Sequence, residues 1–391
     1  MGYVPREARL LTGSVQVIRF NGIAGQLAPT PSNRMLIRYL DFVPSVAAPM
    51  DCAPTAAIVG RTVAGPGLVL RDHATLRADG DWVRIGANAY FGERATVHIA
   101  DSTLPAIVGN DVTVGRFALV HACTVEDRVV VGDTAVVMDG AHVGAGAVIT
   151  AGSLVPPRKR LAGGWVYEGN PATPVREVGA EDLAAAAYAI RNRSKSSLVT
   201  SGDLPPLDAA AHLPTVGDER TRHGARAPRV GRAYIAPTAA LVGDVAVADD
   251  ASVYFGCVVV AGGGRVEIGP RTNIQDNSLL VTDAARGPLV IGADVTVGHN
   301  VRMGAAIVGD HALIGMGSQV GDGVVVEEGG CIGARALVEP GTVVAKGWIW
   351  AGRPACAFRE VKAQERELFA QAAEIYVRYG AAYRGDAGTQ R

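Results

Sequence analysis

Aliphatic residues recur about every six positions along much of this chain, with small, polar or turn-forming residues between them. From Val108 the sequence divides into VGNDVT, VGRFAL, VHACT, VEDRVV, VGDTAV, VMDGAH, VGAGAV and ITAGSL. From Ile291 it divides into IGADVT, VGHNVR, MGAAI, VGDHAL, IGMGSQ, VGDGVV, VEEGGC and IGARAL. A period of six fits neither a 3.6-residue helical face nor the simple alternation of a half-buried strand. It fits one side of a triangular coil, so that three such sides make a turn of about 18 residues in a parallel β-helix. The aliphatics then stack inward, coil on coil, while glycine, Asn and Asp turn the corners, some with φ above zero.

A longer repeat lies over the short one. Residues 53–178 align on 236–361 without a gap at an offset of 183, with 42 of 126 positions identical. APTAA at 53–57 returns at 236–240, DVTVG at 111–115 returns at 294–298, and GNPATPVREV at 169–178 returns as GRPACAFREV at 352–361. The chain therefore reads as two fused copies of one β-helical unit. The second is followed by an amphipathic helix over 362–384, with Leu368, Ala372, Ile375, Tyr376 and Tyr379 on one stripe. The first has a shorter equivalent in EDLAAAAYAIRNR. The expected organisation is an N-terminal extension over 1–45, a first β-helix with short helix over 46–194, a Pro/Ser/charge-rich linker over 195–230, and a second β-helix with its helix over 231–391.

Composition narrows the class. The 391 residues are 48% hydrophobic, 19% charged and 5% aromatic, with 49 glycines and 21 prolines. That much apolar surface argues against disorder, and that much glycine against a helical bundle. A formal net charge of -1 with no basic block implies neither nucleic acid nor an anionic membrane as partner. Cys52, Cys123, Cys257, Cys331 and Cys356 are odd in number and form no CxxC, which favours a reducing compartment. Neither a signal peptide nor a transmembrane segment is read, so a soluble cytoplasmic protein is expected.

The chemistry lies where the two copies differ. The first carries LRADG at 76–80, His98, and VHAC at 120–123; the second carries TNIQD at 272–276 and VGHN at 297–300. Together with the GxPAxxxRE segments, this order resembles the gamma-class carbonic anhydrases and their relatives. Their motifs run L-R-G-D, I-G-x-x-T-N-I-Q-D-G-S-x-x-H, V-G-H-N-x-x-x-H-G-C and G-x-P-A-x-x-x-R-E. The resemblance covers both copies. It implies a fold that is all-β dominant, two tandem left-handed parallel β-helices each followed by a C-terminal α-helix. It also implies trimeric association of β-helices, with one metal ion at a subunit interface. Three histidines hold that ion, the first and third from one subunit and the middle one from its neighbour.

Carried over residue by residue, the first copy keeps Arg77, Asp79, His98 and His121. Arg116 replaces its middle histidine, and Tyr90-Phe91-Gly92-Glu93 replaces its N-I-Q-D block. The second copy is nearly the reverse. It keeps Asn273, Ile274, Gln275, Asp276 and His299, but has Val259-Val260-Ala261-Gly262 for L-R-G-D, Val281 for the first histidine and Gly304 for the third. Alone each copy is a broken enzyme. Together His98, His121 and His299 make a three-nitrogen set, which leaves a fourth metal position for water. Counting in coils of 18 puts Arg116 one coil beyond His98 and His121 around the next corner.

By resemblance, Arg77 would bridge Asp79 and Asp276 as an interface network, and Gln275 and Asn273 would hydrogen-bond metal-bound water or substrate. Zn2+ is the expected metal, with Fe2+ or Co2+ equally compatible with three imidazoles. The substrate expected is CO2/bicarbonate or a similar small molecule, in a homo-oligomer with β-helix to β-helix packing. The family's glutamate shuttles are missing at Gly80 and Gly263, which leaves Glu93 as a substitute. Two other readings stand beside this one: a non-catalytic carbonic anhydrase-like scaffold, and a hexapeptide-repeat acyltransferase acting on a thioester.

Overall fold

In a computed structural model of the chain, residues 36–179, 181–192 and 226–386 are described. Most of the expected linker, and residues 1–35 of the N-terminal extension, lie outside them. Each half winds as a β-helix, in which most rungs are strands of two or three residues paired in parallel with the rung one coil later. Three inward columns fill the first. Phe91, Val114, Val131 and Ile149 form one, Val97, Val120, Val137 and Val155 the second, and Val108, Val125, Val143 and Leu161 the third. The second half repeats the plan with Ile274, Val297, Ile314 and Ile332, with Leu280, Met303, Val320 and Val338, and with Ile291, Val308, Val326 and Val344. Each such side chain contributes about 1.5–3 kcal/mol by leaving water, and β-branched residues suit a stacked, pleated wall.

Coil length is not uniform. Leu70 pairs with Phe91, a step of 21 residues, and Phe91 with Val114, a step of 23. The second half takes the same two long steps from Val253 to Ile274 and from Ile274 to Val297. In the first half a small extra turn, closed by the Ala100–Leu104 bridge, lengthens the coil that begins near Tyr90. This corrects the 18-residue count: His98 pairs directly with His121, while Arg116 lies one coil beyond Glu93. Corners in the left-handed region are also not confined to Gly, Asn and Asp. Arg94, Phe117, Arg128 and Thr134 adopt φ of 50° to 58°, a conformation that the inter-coil pairing on either side imposes against local preference.

Two helices follow the coils, α1 (Asp182–Arg191) and α2 (Ala363–Arg384). The Arg of each GxPAxxxRE segment anchors the helix after it. Arg176 donates to both oxygens of Asp182, and Arg359 to both of Glu365 at 2.7 Å. Each carboxylate also accepts a backbone N–H three residues back, from Gly179 and from Lys362, half of a capping box. Helix α1 packs Ile190 with Leu183 on Tyr90 and Val130. Helix α2 packs Phe369 near Cys331 and Ile349, and sets Tyr376 edge-on to Tyr254. Leu368, expected on its buried stripe, is instead 60% exposed; the buried positions are Ala373, Tyr376, Tyr379 and Gly380.

Short strands precede both coils, one in the N-terminal extension and one at the end of the expected linker. Leu36–Ile37 pairs with Ile58 and Val59, and Arg229–Val230 with Ala246 and Val247. Contacts group the described residues into two compact units. One comprises the described part of Arg34–Arg193 with Gln275–Asn277 and the chain from Ala381; the other comprises residues 226–274 and Ser278–Gly380. No helix among the described residues is long and apolar enough to cross a membrane, and the five cysteines are free thiols.

Candidate functional site

Arg77, His98 and His121 form one ladder in the first unit. Their strands pair in register, Arg77 with His98 and His98 with His121. Alternation along each strand sends Leu76, Val97 and Val120 into the core, so the three polar neighbours point to the opposite face. They are nonetheless buried, at 0%, 2% and 5% exposure. Such burial demands partners. The Arg77 guanidinium donates through Nη1 to Asp79 and through Nε to Asp276 Oδ2 at 2.8 Å. Asp79 is buried, and its Oδ1 lies 3.0 Å from His98 Nε2 while its Oδ2 accepts from the Tyr383 hydroxyl at 3.0 Å. Asn277 Nδ2 donates to Thr96 Oγ1 at 3.0 Å, beside the same strands.

The two histidines face each other. His98 Nδ1 and His121 Nε2 stand 3.2 Å apart, and the outer nitrogen of His121, Nδ1, lies 2.6 Å from Asp139 Oδ1. These carboxylates fix the tautomers. A carboxylate accepts, so His98 carries its proton on Nε2 and His121 on Nδ1. The facing nitrogens then both present lone pairs, which repel unless a cation or a proton stands between them. Two nitrogens ligating one ion tetrahedrally at about 2.0–2.1 Å lie about 3.3–3.4 Å apart, close to the distance seen. A carboxylate behind each imidazole is the arrangement that orients metal-ligating histidines and raises their basicity. The donor set fits a metal.

The remaining candidates fall in both units. His299 is fully buried in the second, just after the Thr296–Val297 strand, and its carbonyl accepts from Gly317 N–H. Asp276 and Gln275 are buried in the first unit. Asn273 is buried in the second, where its Nδ2 donates to Thr296 Oγ1 at 3.0 Å. Arg116, in the middle-histidine position of the first half, is held by Asp133 through its backbone N–H at 3.0 Å and its guanidinium at 3.3 Å. In the second half Gly304 replaces the third histidine, and Asp322, which aligns with Asp139, accepts from Ala305 N–H instead.

Cys123 is buried, and burial pushes its thiol far above the ordinary range, which leaves packing as its role. Of the histidines outside the motifs, His142 lies 2.7 Å from Glu126. His73 is buried at a left-handed corner and pushed down to about 3 by desolvation and by Arg94. His212 and His223 lie outside the described residues.

Asp139, Asn277 and Tyr383 were not singled out from sequence. Asp139 follows His121 by 18 residues, so the coil period alone points to it. Tyr383 has no such signal, because its place depends on where the last turn of α2 runs.

No family model matches the chain. Gamma carbonic anhydrase 1, mitochondrial, of Arabidopsis thaliana is 36% identical over 157 residues, 39% of this chain and 57% of that protein. A carbonic anhydrase of Geobacillus kaustophilus is 38% identical over 152 residues, 39% of this chain and 83% of its own length. This chain belongs to the gamma carbonic anhydrase family. It spans somewhat over half the length of its plant relatives, and each match covers about as much of the chain as a single copy of the tandem repeat. Among solved structures, a hexapeptide transferase family protein from Anaplasma phagocytophilum is 39% identical, over 40% of this chain and 92% of that one, with a TM-score of 0.38.

Proposed function

We propose that the protein is a metal-dependent enzyme of the gamma carbonic anhydrase type. It would hydrate carbon dioxide, or carry out related hydroxide chemistry on a small electrophile, at one site built from His98, His121 and His299. The observation that carries this is the pair of imidazole nitrogens 3.2 Å apart, with Asp79 and Asp139 holding the proton on the far side of each ring. Register supports the third ligand. Arg77 bonds Asp276; one rung on from Arg77 is His98, and one coil on from Asp276, by the pairing of Ile274 with Val297, is His299. Mitochondrial and bacterial carbonic anhydrases among the relatives support the chemistry.

Zn2+, Fe2+ or Co2+ suits three neutral imidazoles, and the ion, when bound, supplies the charge that makes hydroxide available near neutral pH. The protein's part is to hold His98 and His121 in the required tautomers through Asp79 and Asp139. Arg77 fixes Asp79 and Asp276, and Gln275, with Asn273 two residues before it, offers an amide to orient the substrate. Gly80 follows Asp79 where a shuttle carboxylate would help, so proton exit through Glu93 or buffer limits the rate. The test is stopped-flow hydration of carbon dioxide by metal-loaded protein, with acyl-CoA thiol release run in parallel. Hydration that chelation abolishes and metal restores is expected, whereas thiol release without hydration would favour the acyltransferase reading.

A further inference from the structure

Residues 36–42 have no part in the site so far, and the copied plan of the two β-helices explains neither them nor Tyr383. They meet over Asp79. The short strand Leu36–Ile37 pairs with Ile58 and Val59, and a bridge between Tyr39 and Phe42 turns the segment back. The Arg61 guanidinium lies 3.8 Å over the Phe42 ring, which pins that turn. Tyr39 is buried, and its ring centroid is 4.6 Å from that of Tyr383. Gly60, at φ of +64°, admits this approach: a Cβ there would lie 3.3 Å from Tyr39 Cβ and 2.2 Å from Ala78 O. Tyr383 in turn donates to Asp79 Oδ2, while the other oxygen of that carboxylate faces His98 Nε2.

We propose that Tyr383, braced by Tyr39, is a positioning residue that fixes the Asp79 carboxylate and, through it, the orientation and tautomer of His98. The inference deepens the metal-site reading and rests on it for its functional meaning. Its mechanical part stands on these contacts alone. With the hydroxyl removed, the buried Asp79 loses a donor and turns towards its remaining partners, so its oxygen no longer meets His98 in one geometry.

The experiment uses full-length Tyr383→Phe, which keeps the ring against Tyr39, beside Tyr39→Ala. In metal-free protein, the His98 side-chain resonances in long-range proton–nitrogen spectra are expected to shift in both variants, while thermal unfolding shows that both remain folded. In Co2+-substituted protein, Tyr383→Phe is expected to change the visible absorption envelope and to weaken Co2+ binding about threefold to tenfold, at or below the low end for outer partners of a ligand. His98 resonances and a Co2+ spectrum identical to wild type in Tyr383→Phe would overturn the proposal. Wild-type protein that binds no Co2+ would instead overturn the metal site, and the His98 resonances would still decide the brace.

Discussion

At the scale of single residues, the site is an exercise in satisfying buried charge. Arg77 is fully buried, and its guanidinium is divided between Asp79 and Asp276. A planar, permanently charged fork suits that position as a lysine would not. Arg77→Met would leave two buried carboxylates without their cation, and a loss of about 3–5 kcal/mol in urea unfolding is expected. His73 makes a different demand. It is buried, its Nδ1 has no hydrogen-bond partner, and it is held down to about 3, so the folded protein refuses a proton that the unfolded chain accepts below 6.5. The unfolded state then binds more protons as pH falls from 6.5 towards 3, and stability is lost over that window. His73→Asn, which suits the left-handed φ of 58°, removes the titration. Its stability is expected to change less than wild type between pH 7 and pH 5, as read by denaturant midpoints. None of this was legible at His73 from sequence, where an isolated histidine at a β-helix corner reads as solvated surface. His98 and His121 could be read because motifs surround them. Asp139 could have been read by counting one coil forward, and Tyr383 could not.

At the scale of elements, the six-residue rhythm exposed the rungs and their inward faces, because one aliphatic per side is what a stacked coil needs to stay dry. It did not expose the two long coils. An insertion at a corner leaves the rungs on either side in phase, so the pattern of Val and Ile is blind to it, and Arg116 was counted into the wrong rung. The helices show a similar division. Their existence follows from the spacing of apolar residues, but which face docks depends on the wall opposite, and Leu368 faces outward while Ala373 is buried. The GxPAxxxRE segments acquire a physical role here, since their arginines hold the first turn of α1 and α2. Glu365 is held down to about 2, first by Arg359 and then by the Lys362 N–H. Its folded value lies below the ordinary 4.5, so this contribution is present above pH 4.5 and disappears as pH falls towards 2. Glu365→Gln keeps an oxygen for the Lys362 N–H but loses the charged pair with Arg359, and is expected to cost about 0.5 kcal/mol at pH 7. Thermal melts of the two proteins should converge near pH 2, and a constant difference across that range would contradict a stabilising Glu365–Arg359 pair.

At the scale of the whole molecule, duplication explains the distribution of chemistry. Each half carries the same coils, long steps included, at a fixed offset of 183, but the motif histidines are divided between them, His98 and His121 in the first and His299 in the second. Where the first half lacks a middle histidine, an Arg116–Asp133 pair closes the position. Where the second half lacks a third, Gly304 stands and the aligned Asp322 accepts from backbone. A division of this kind leaves two incomplete sites if each half acts alone, and one complete set of ligands if they act together. In the proposed site His98, His121 and His299 serve one metal ion. This is tested most directly by elemental analysis of metal per chain in wild type, His98→Ala and His299→Ala, each shown to be folded. About one ion per chain in wild type, lost in both variants, is the predicted result. Wild type without metal, or metal retained in either variant, would contradict it.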